Sequence, residues 1–250
     1  MKIGFLITAR LKSTRLPKKV ILKIDGREFI ALMIKRLKLS KAVDDIVVAT
    51  STNPQDNPLA KIALRENVKC FRGSEDDVLE RLYLASKEFG LDYILNLTAD
   101  CPLLAYEFIE KVVEMHKKTD ADLITISKLP HGFFFWGIKP AALKKILEIK
   151  EAQDTEVWLR YFTETKMFKV VDLDVPQHYR RNYRLSLDYP EDYDFFKALF
   201  NGMKNAHLKP TKEIIEFLDK HPEIVDINLH CEEMYKKRWE SQNKLKLKQK

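Results

Sequence analysis

The chain is poor in cysteine, has no long apolar run, and carries no glycine in its first basic loop. Its three cysteines, Cys70, Cys101 and Cys231, form no C-x-x-C pair and no metal-ligand spacing with the six histidines, so we expect reduced thiols. No stretch approaches the ~18 to 20 apolar residues that span a bilayer, and the first apolar run lacks the features of a signal peptide. These absences predict a cytoplasmic protein with no membrane partner.

The basic loop at residues 8–19 lacks glycine, which argues against the common phosphate-binding sequences. Neither a Walker A motif nor G-x-G-x-x-G occurs there. The loop instead carries five cations and follows an apolar run at residues 2–7, so it stands where an α/β sheet binds phosphorylated ligands. Arginine forks and lysine point charges together suit the roughly four negative charges of a nucleoside triphosphate. The alternative is an ordinary solvated basic surface.

Length and composition favour an α/β fold with one sizeable core. With 250 residues, 45% hydrophobic and 32% charged, the chain can bury such a core, and wholesale disorder is not expected. Apolar runs alternate with helical patterns, which is typical of a mainly parallel central sheet flanked by helices. We predict strands at residues 46–49, 93–97, 123–126, 168–173 and 183–187, and helices at residues 29–39, 58–66, 78–89, 107–117, 141–150, 157–162 and 211–218.

The C-terminal part differs from the rest in charge. We divide the chain into a main domain at residues 1–205 and a helical extension with a basic tail at residues 206–250. The net charge of +7 favours anionic partners in general. Much of it is local, because residues 236–250 hold seven Lys or Arg against one Glu. Such a tail is more typical of a frayed end than of a nucleic-acid site, so we expect no nucleic-acid partner.

Two aspartates follow strand-like segments and could bind a metal ion. Asp100 comes after residues 93–97 and precedes Pro102, and Asp188 comes after residues 183–187. Carboxylates at the ends of neighbouring strands could hold Mg²⁺, which takes one or two carboxylates together with phosphate oxygens. Taken singly, each aspartate has the alternative of capping a turn or a helix.

The order of these motifs is more specific than the motifs themselves. The basic loop, then Ala-Asp-Cys-Pro-Leu at 99–103 and Leu-Asp-Tyr-Pro-Glu-Asp-Tyr at 187–193, resembles the cytidylyltransferases grouped with spore coat polysaccharide biosynthesis protein F. The chain is similar more distantly to the synthetases of CMP-activated 3-deoxy-manno-octulosonate and sialic acids. The resemblance implies a nucleotide-diphospho-sugar transferase (GT-A-like) fold. It also implies Mg²⁺-dependent transfer of CMP from CTP to a sugar or sugar-acid-like acceptor, with release of pyrophosphate, for surface polysaccharide synthesis.

The resemblance assigns roles to individual positions of this sequence. Arg10, Lys19 and Asp100 are the expected catalytic residues, and Asp100 and Asp188 the expected metal ligands. The positions expected to bind the nucleotide are Ala9, Arg10, Ser13, Arg15, Lys19, Arg72, Gly73, Ser74 and Asp100. Two positions depart from the family pattern, because the family usually has glycine at Lys18 and commonly at Ala99. Lys18 would stiffen or overcharge the loop, and Ala99 limits the backbone to conformations that tolerate a β-carbon.

Other readings of the sequence compete with this one. Asp172 and Asp174 imitate the D-x-D metal motif, so a glycosyltransferase of the same fold class is one rival, although a structural role fits alternate residues of a strand. A protein that binds RNA is the second rival, suggested only by charge. The aromatic residues at 133–136 and 157–162 exceed what the core of a monomer needs, which predicts a homodimer. A core or sheet-covering role, or a place in the acceptor pocket, is the alternative for them.

Overall fold

A seven-stranded sheet forms the centre of the structure, a computed structural model that describes residues 1–242 and 245–248. Its strand order is β5-β4-β1-β6-β8-β7-β9. The strands are β1 (Ile3–Thr8), β4 (Asp45–Ser51), β5 (Lys69–Gly73), β6 (Tyr93–Thr98), β7 (Leu123–Thr125), β8 (Trp136–Ile138) and β9 (Val170–Asp172), and a separate hairpin joins β2 (Lys23–Ile24) to β3 (Arg27–Glu28). β8 runs antiparallel to both of its neighbours, and the other pairs of the sheet are parallel. The predicted mainly parallel α/β fold is therefore confirmed.

Helices cover both faces of this sheet. They are α1 (Phe29–Leu37), α2 (Asn57–Arg65), α3 (Val78–Glu88), α4 (Ile109–Thr119), α5 (Pro140–Ile149), α6 (Leu159–Thr163), α7 (Pro190–Gly202), α8 (Thr211–Lys220), α9 (Pro222–Val225) and α10 (Cys231–Gln242). All six residues of β1 are buried, because a central parallel strand has helices on both sides. Phe5 and Ile7 join the larger core, whereas Leu6 joins the smaller one on the opposite face.

The structure lacks one predicted strand and contains one that was not predicted. Residues 183–187 are extended but form no strand of the sheet. The amide of Leu185 bonds to the carbonyl of His131 at 2.7 Å, and the amide of Leu187 bonds to the carbonyl of Asp100 at 2.9 Å, so no continuous ladder can form. The second difference is β8, which the sequence analysis treats only as part of an aromatic cluster. This strand, Trp-Gly-Ile, begins at the last residue of that cluster, pairs between β6 and β7, and supplies the antiparallel step of the sheet.

The prediction of a frayed end at residues 236–250 is wrong for the described part of that tail. α10 continues to residue 242, and residues 245–248 pair with residues 149–151. The amide of Glu151 donates to the carbonyl of Lys246 at 3.0 Å, and Leu245 packs against the smaller core. The backbone and Leu245 supply these contacts, so the many cations can stay hydrated. Residues 243–244 and 249–250, which the prediction also includes, lie outside the described residues.

The aromatic residues behind the dimer prediction pack within the chain. Phe133, Phe135 and Phe162 are fully buried, and Trp158 is nearly so. Trp136 packs edge-on against Trp158 at 5.1 Å between ring centroids. These rings belong to the cores and to one wall of a cavity. No excess of aromatic surface therefore remains here as an argument for a dimer. The homodimer stays a prediction, which a mass measurement by light scattering tests.

Candidate active site

The candidate site lies where β1 and β6 end side by side. The two strands pair in parallel with Thr8 opposite Thr98, so the loops that follow them leave the sheet at the same edge. The amide of Ala9 continues the pairing by donating to the carbonyl of Ala49 at 3.2 Å, and the amide of Ala99 donates to the carbonyl of Thr8 at 3.0 Å. Ala99 does not have a positive φ, so its β-carbon is tolerated there.

Lys19 joins the two predicted metal ligands. Its Nζ lies 2.5 Å from Oδ2 of Asp100 and 2.8 Å from Oδ1 of Asp188. Burial lowers the pKa of Lys19, but the two carboxylates raise it more, so the net shift is upward and the ammonium stays charged. Residues far apart in sequence thus form one compact charge cluster at the end of the sheet.

A turn in the basic loop sets the position of Lys19. Lys18 adopts a left-handed conformation with φ 55° and ψ 27°, and a short 3-10 helix at Lys19–Ile21 follows it. Glycine adopts this conformation without a penalty, so the left-handed turn is a physical reason for the glycine that the resemblance implies at this position. The turn directs Lys19 inward while Lys18 itself stays exposed.

Arg15 adds a second cation to the cluster. Its Nη2 donates to Oδ1 of Asp188 at 2.6 Å, and its guanidinium lies 5.2 Å from the ring centre of Tyr189. Among the described residues, its buried Nε has no hydrogen-bond partner. A phosphate oxygen is the kind of acceptor that a buried guanidinium N–H requires.

Asp188 is fixed by a buried network. Its Oδ2 accepts from Nη2 of Arg184 at 2.8 Å and from Ser186 at 3.1 Å. Asp192, at the start of α7, accepts from the Asp188 amide at 2.7 Å and from Nε of Arg184 at 2.8 Å. Burial raises the pKa of Asp188, but Lys19 and Arg184 lower it more, so the net pKa lies well below its usual range. The carboxylate is therefore held ionised and in one orientation.

Arg10 points to a different part of the site. Its Nη2 lies 2.6 Å from Glu156, and its Nη1 lies 3.2 Å from both Asp76 and the carbonyl of Glu75. Ser13 makes a backbone turn through its amide to the carbonyl of Leu11 at 3.0 Å. The loop therefore divides into an outer half around Arg10 and an inner half around Lys19.

The structure does not bring Arg72, Gly73 and Ser74 to the Lys19 cluster. The Arg72 guanidinium donates to the carbonyls of residues 51 and 53 and to Asn57, so it braces the loop after β4. A β-carbon at Gly73 would lie 2.8 Å from the Phe71 ring. The Ser74 hydroxyl accepts from the Asp77 amide at the start of α3. These contacts show a structural use of the three positions, and their role in binding the nucleotide stays a prediction.

A cavity of about 620 Å³ opens beside the Lys19 cluster. Arg15, Lys19, Asp100 and Asp188 lie at one side of it. The remaining walls come from the end of β6, from the segment that joins β7 to β8, from residues 156–159, from residues 181–186 and from α10. They include residues that the sequence analysis did not assign: Ser127, His131, Glu156, Tyr183, Glu232, Tyr235 and Trp239. Arg184 supports this site through its bonds to Asp188, and the signal in the sequence is that it is the one charged residue in the strand-like run 183–187. For α10, the composition of the tail gave no signal.

The competing candidates have structural partners. Asp172 accepts from the Thr125 hydroxyl at 2.6 Å and from the amide and hydroxyl of Ser127 at 2.9 and 2.7 Å. Asp174 pairs on the surface with Lys128 at 2.7 Å and Arg180 at 3.0 Å. Burial raises the pKa of Cys101 well above its ordinary value, so this thiol is neutral and unsuited to act as a nucleophile.

The described residues contain no group of three or more His, Cys, Asp or Glu side chains that could hold a metal ion. Asp100 and Asp188 nevertheless form a pair of hard oxygen ligands that already share one cation, the Lys19 ammonium. Such a pair fits Mg²⁺, which completes its shell with water and phosphate oxygens. Within residues 1–242 and 245–248, no helix is long and apolar enough to cross a membrane.

Comparison with known proteins defines the family. The cytidylyltransferase family model matches residues 5–224, and the chain belongs to this family. Methanocaldococcus jannaschii has an uncharacterized protein, MJ1063, that is 36% identical over 231 residues, covering 91% of this chain and 95% of that protein. The spore coat polysaccharide biosynthesis protein SpsF of Bacillus subtilis is 28% identical over 229 residues, covering 88% and 95%. The protein is a nucleotidyltransferase, as the sequence predicts.

Solved structures agree with this placement. A cytidylyltransferase from Leptospira borgpetersenii superposes with a TM-score of 0.82 and 28% identity, covering 90% of this chain and 97% of that one. A CMP:2-keto-3-deoxy-manno-octonic acid synthetase complexed with CTP has a TM-score of 0.63 at 15% identity, covering 81% and 99%, which shows a shared fold. The nucleotide-diphospho-sugar transferase fold is therefore confirmed.

Proposed function

We propose that this protein transfers CMP from CTP to a hydroxyl of a sugar or sugar-acid-like acceptor and releases pyrophosphate. The observation that carries the proposal is the meeting of Lys19 and Arg15 with Asp100 and Asp188 at the mouth of a cavity. Family membership supports the nucleotide, and the similarity to SpsF supports a role in surface polysaccharide synthesis.

The cations of the basic loop suit the charge that develops during this transfer. The acceptor oxygen attacks the α-phosphorus, the new P–O bond forms, and the α–β phosphoanhydride bond breaks, so that pyrophosphate leaves and the acceptor loses its proton. We expect Lys19 and Arg15 on the inner side, and Arg10 on the outer side, to neutralise the departing pyrophosphate. Their partners in the structure are carboxylates, which phosphate oxygens would replace when CTP binds.

Mg²⁺ is the proposed cofactor, held by Asp100 and Asp188. When bound, it would supply positive charge next to the phosphate oxygens. Asp188 suits this role because Arg184 and Ser186 fix one of its oxygens and leave the other directed toward Lys19 and Arg15. The Asp100 carboxylate is oriented by the Thr98 hydroxyl.

A substrate screen tests the proposal. Purified protein is mixed with Mg²⁺, each of the four common nucleoside triphosphates, and a panel of sugar acids and sugar phosphates, and pyrophosphate is measured. We expect release only with CTP and a subset of acceptors. Release of a nucleoside diphosphate from a nucleotide-sugar, without pyrophosphate formation from CTP, would instead establish the glycosyltransferase activity.

A further inference from the structure

α10 forms one side of the cavity and directs aromatic and polar side chains toward it. Tyr235 and Trp239 are four residues apart, so they lie on one face of the helix, and both line the cavity together with Glu232. The whole helix lies beyond residue 224, the last residue that the family model matches. A part of the chain outside the family match thus faces the proposed reaction centre.

The helix is fixed to the body of the protein at its start. Oε2 of Glu232 accepts from Nη1 of Arg184 at 2.9 Å and lies 2.7 Å from Nδ1 of His131. The Tyr235 ring centre lies 4.6 Å from that of His131 and 5.3 Å from the Arg184 guanidinium. Arg184 also holds Asp188, so the position of α10 is tied to that of the proposed metal ligand.

The far end of the helix is fixed as well. Arg160, at the start of α6, lies 5.7 Å from the ring centre of Trp239. Beyond the helix, the Lys246 carbonyl accepts from the amide of Glu151 at 3.0 Å and from the hydroxyl of Tyr161 at 3.1 Å. A helix that is held near both of its ends forms a wall of defined geometry.

The cavity includes the inner half of the basic loop but not Arg10 of its outer half. Arg15 and Lys19 line it, whereas Arg10, Ser13 and residues 72–74 do not. Within the described chain, its lining carries five Lys or Arg and five Asp or Glu side chains, so their formal charges cancel. The net charge of the lining therefore favours neither anionic nor cationic acceptors, and we expect ring contacts and hydrogen bonds to select the acceptor. Burial, together with the nearby Asp188 and Asp100, raises the pKa of Tyr235, so its hydroxyl is a neutral donor.

We propose that α10 is the acceptor-selecting wall of this site, with Tyr235 and Trp239 as its specificity-determining residues. Trp239 offers a flat apolar face to the acceptor ring, and the Tyr235 hydroxyl binds an acceptor hydroxyl beside the Asp100–Asp188 pair. The inference rests on the proposed function, since it assigns the second substrate of that reaction to this wall.

The test compares Trp239→Ala and Tyr235→Phe with Lys237→Ala, an exposed position of the same helix that does not line the cavity. The probe is the sugar acid or sugar phosphate with which wild-type protein and CTP give the highest kcat/KM. We expect Trp239→Ala to raise the KM for this acceptor about tenfold, equivalent to about 1.4 kcal/mol, because the variant removes the ring face on which the acceptor would pack. Tyr235→Phe should raise it about fivefold through one lost hydrogen bond. The KM for CTP should stay within about twofold in all three variants.

Each result decides the question. An unchanged acceptor KM in both cavity variants, or an equal rise in the KM for CTP, overturns the assignment. Trp239→Phe serves if Trp239→Ala fails to fold, since it retains a ring and should give a smaller shift in the same direction. Wild-type protein that releases no pyrophosphate with any acceptor refutes the proposed function, and the assignment falls with it. An active wild type with unaffected variants refutes only the role of α10.

Discussion

The two halves of the basic loop use the same residue types in different surroundings. On the inner side, Lys19 and Arg15 pair with Asp188, whose side chain is only 4% exposed. On the outer side, Arg10 pairs with Asp76 and Glu156, whose side chains are 52% and 54% exposed. A buried pair leaves an uncompensated charge when one partner is removed, whereas solvent replaces an exposed partner cheaply. We infer that the inner half serves both folding and catalysis, and that the outer half serves catalysis with little effect on stability.

The largest effect should come from Asp188→Asn. This change removes a proposed metal ligand and leaves Arg184, Arg15 and Lys19 with less compensating charge. We expect no measurable Mg²⁺-dependent pyrophosphate release and a loss of about 3–5 kcal/mol in the free energy of unfolding, measured by denaturant titration. Asp174→Asn is the control, since Asp174 is paired only on the surface. If the control loses activity and Asp188→Asn retains it, the metal site is wrongly placed.

Lys19→Ala and Arg15→Ala should have the next largest effect. Each removes a cation directed at the charge of the transition state, so we expect turnover to fall by about two orders of magnitude. Lys19→Ala should also lower stability, because Asp100 and Asp188 would then face each other without the ammonium between them. Steady-state kinetics and thermal unfolding measure the two quantities. Turnover near the wild-type value in both variants would refute the assignment of the triphosphate to this loop.

Arg10→Ala tests the comparison directly, because it should lower turnover without lowering stability. We expect turnover to fall by about tenfold or more, while the free energy of unfolding changes by less than about 0.5 kcal/mol. Glu156 and Asp76 become hydrated when the guanidinium is lost, since both are more than half exposed. A stability loss as large as that of Lys19→Ala would show that the outer half contributes to folding as much as the inner half does.

Acid should reduce the stability that the inner half of the loop contributes to the fold. The pKa of Asp188 lies below its usual value in the folded protein, because Lys19 and Arg184 outweigh the effect of burial. The unfolded chain therefore binds a proton first, at about pH 4, and the stability contributed by Asp188 is lost as the pH falls from there through the folded pKa. We expect the unfolding free energy to decline below about pH 4 and to decline less steeply in Asp188→Asn. Equal slopes in the two proteins would remove Asp188 as a source of acid sensitivity.

The sequence predicted local features better than features that depend on distant contacts. The run at residues 2–7 and its basic loop are contiguous, so β1 and the candidate site at its end could be inferred directly. Residues 183–187 have a strand pattern, yet their amides bond to His131 and Asp100, which no local pattern reveals. The role of α10 is hidden for the same reason. Its composition is that of a solvated tail, and only the contacts of Glu232 with Arg184 and His131 place it against the cavity.

The smallest expected effect concerns the turn at Lys18, which lies within the inner half of the loop, between Arg15 and Lys19. Lys18 has φ 55°, a conformation that costs a residue with a β-carbon roughly 1–2 kcal/mol, whereas glycine adopts it freely. Glycine also loses more backbone entropy on folding, by roughly 0.5–1 kcal/mol, so we expect Lys18→Gly to stabilise the protein by about 0.5–1 kcal/mol.

A higher denaturant midpoint with an unchanged slope would show this stabilisation. Lys87→Gly is the matched control, because Lys87 is an exposed residue in the last, right-handed turn of α3, where glycine brings only the entropic cost. Since Lys18 is exposed and makes no contact with the Lys19 cluster, turnover should stay near the wild-type value. A large loss of turnover in Lys18→Gly would mean that Lys18, like Arg15 and Lys19, also meets the triphosphate.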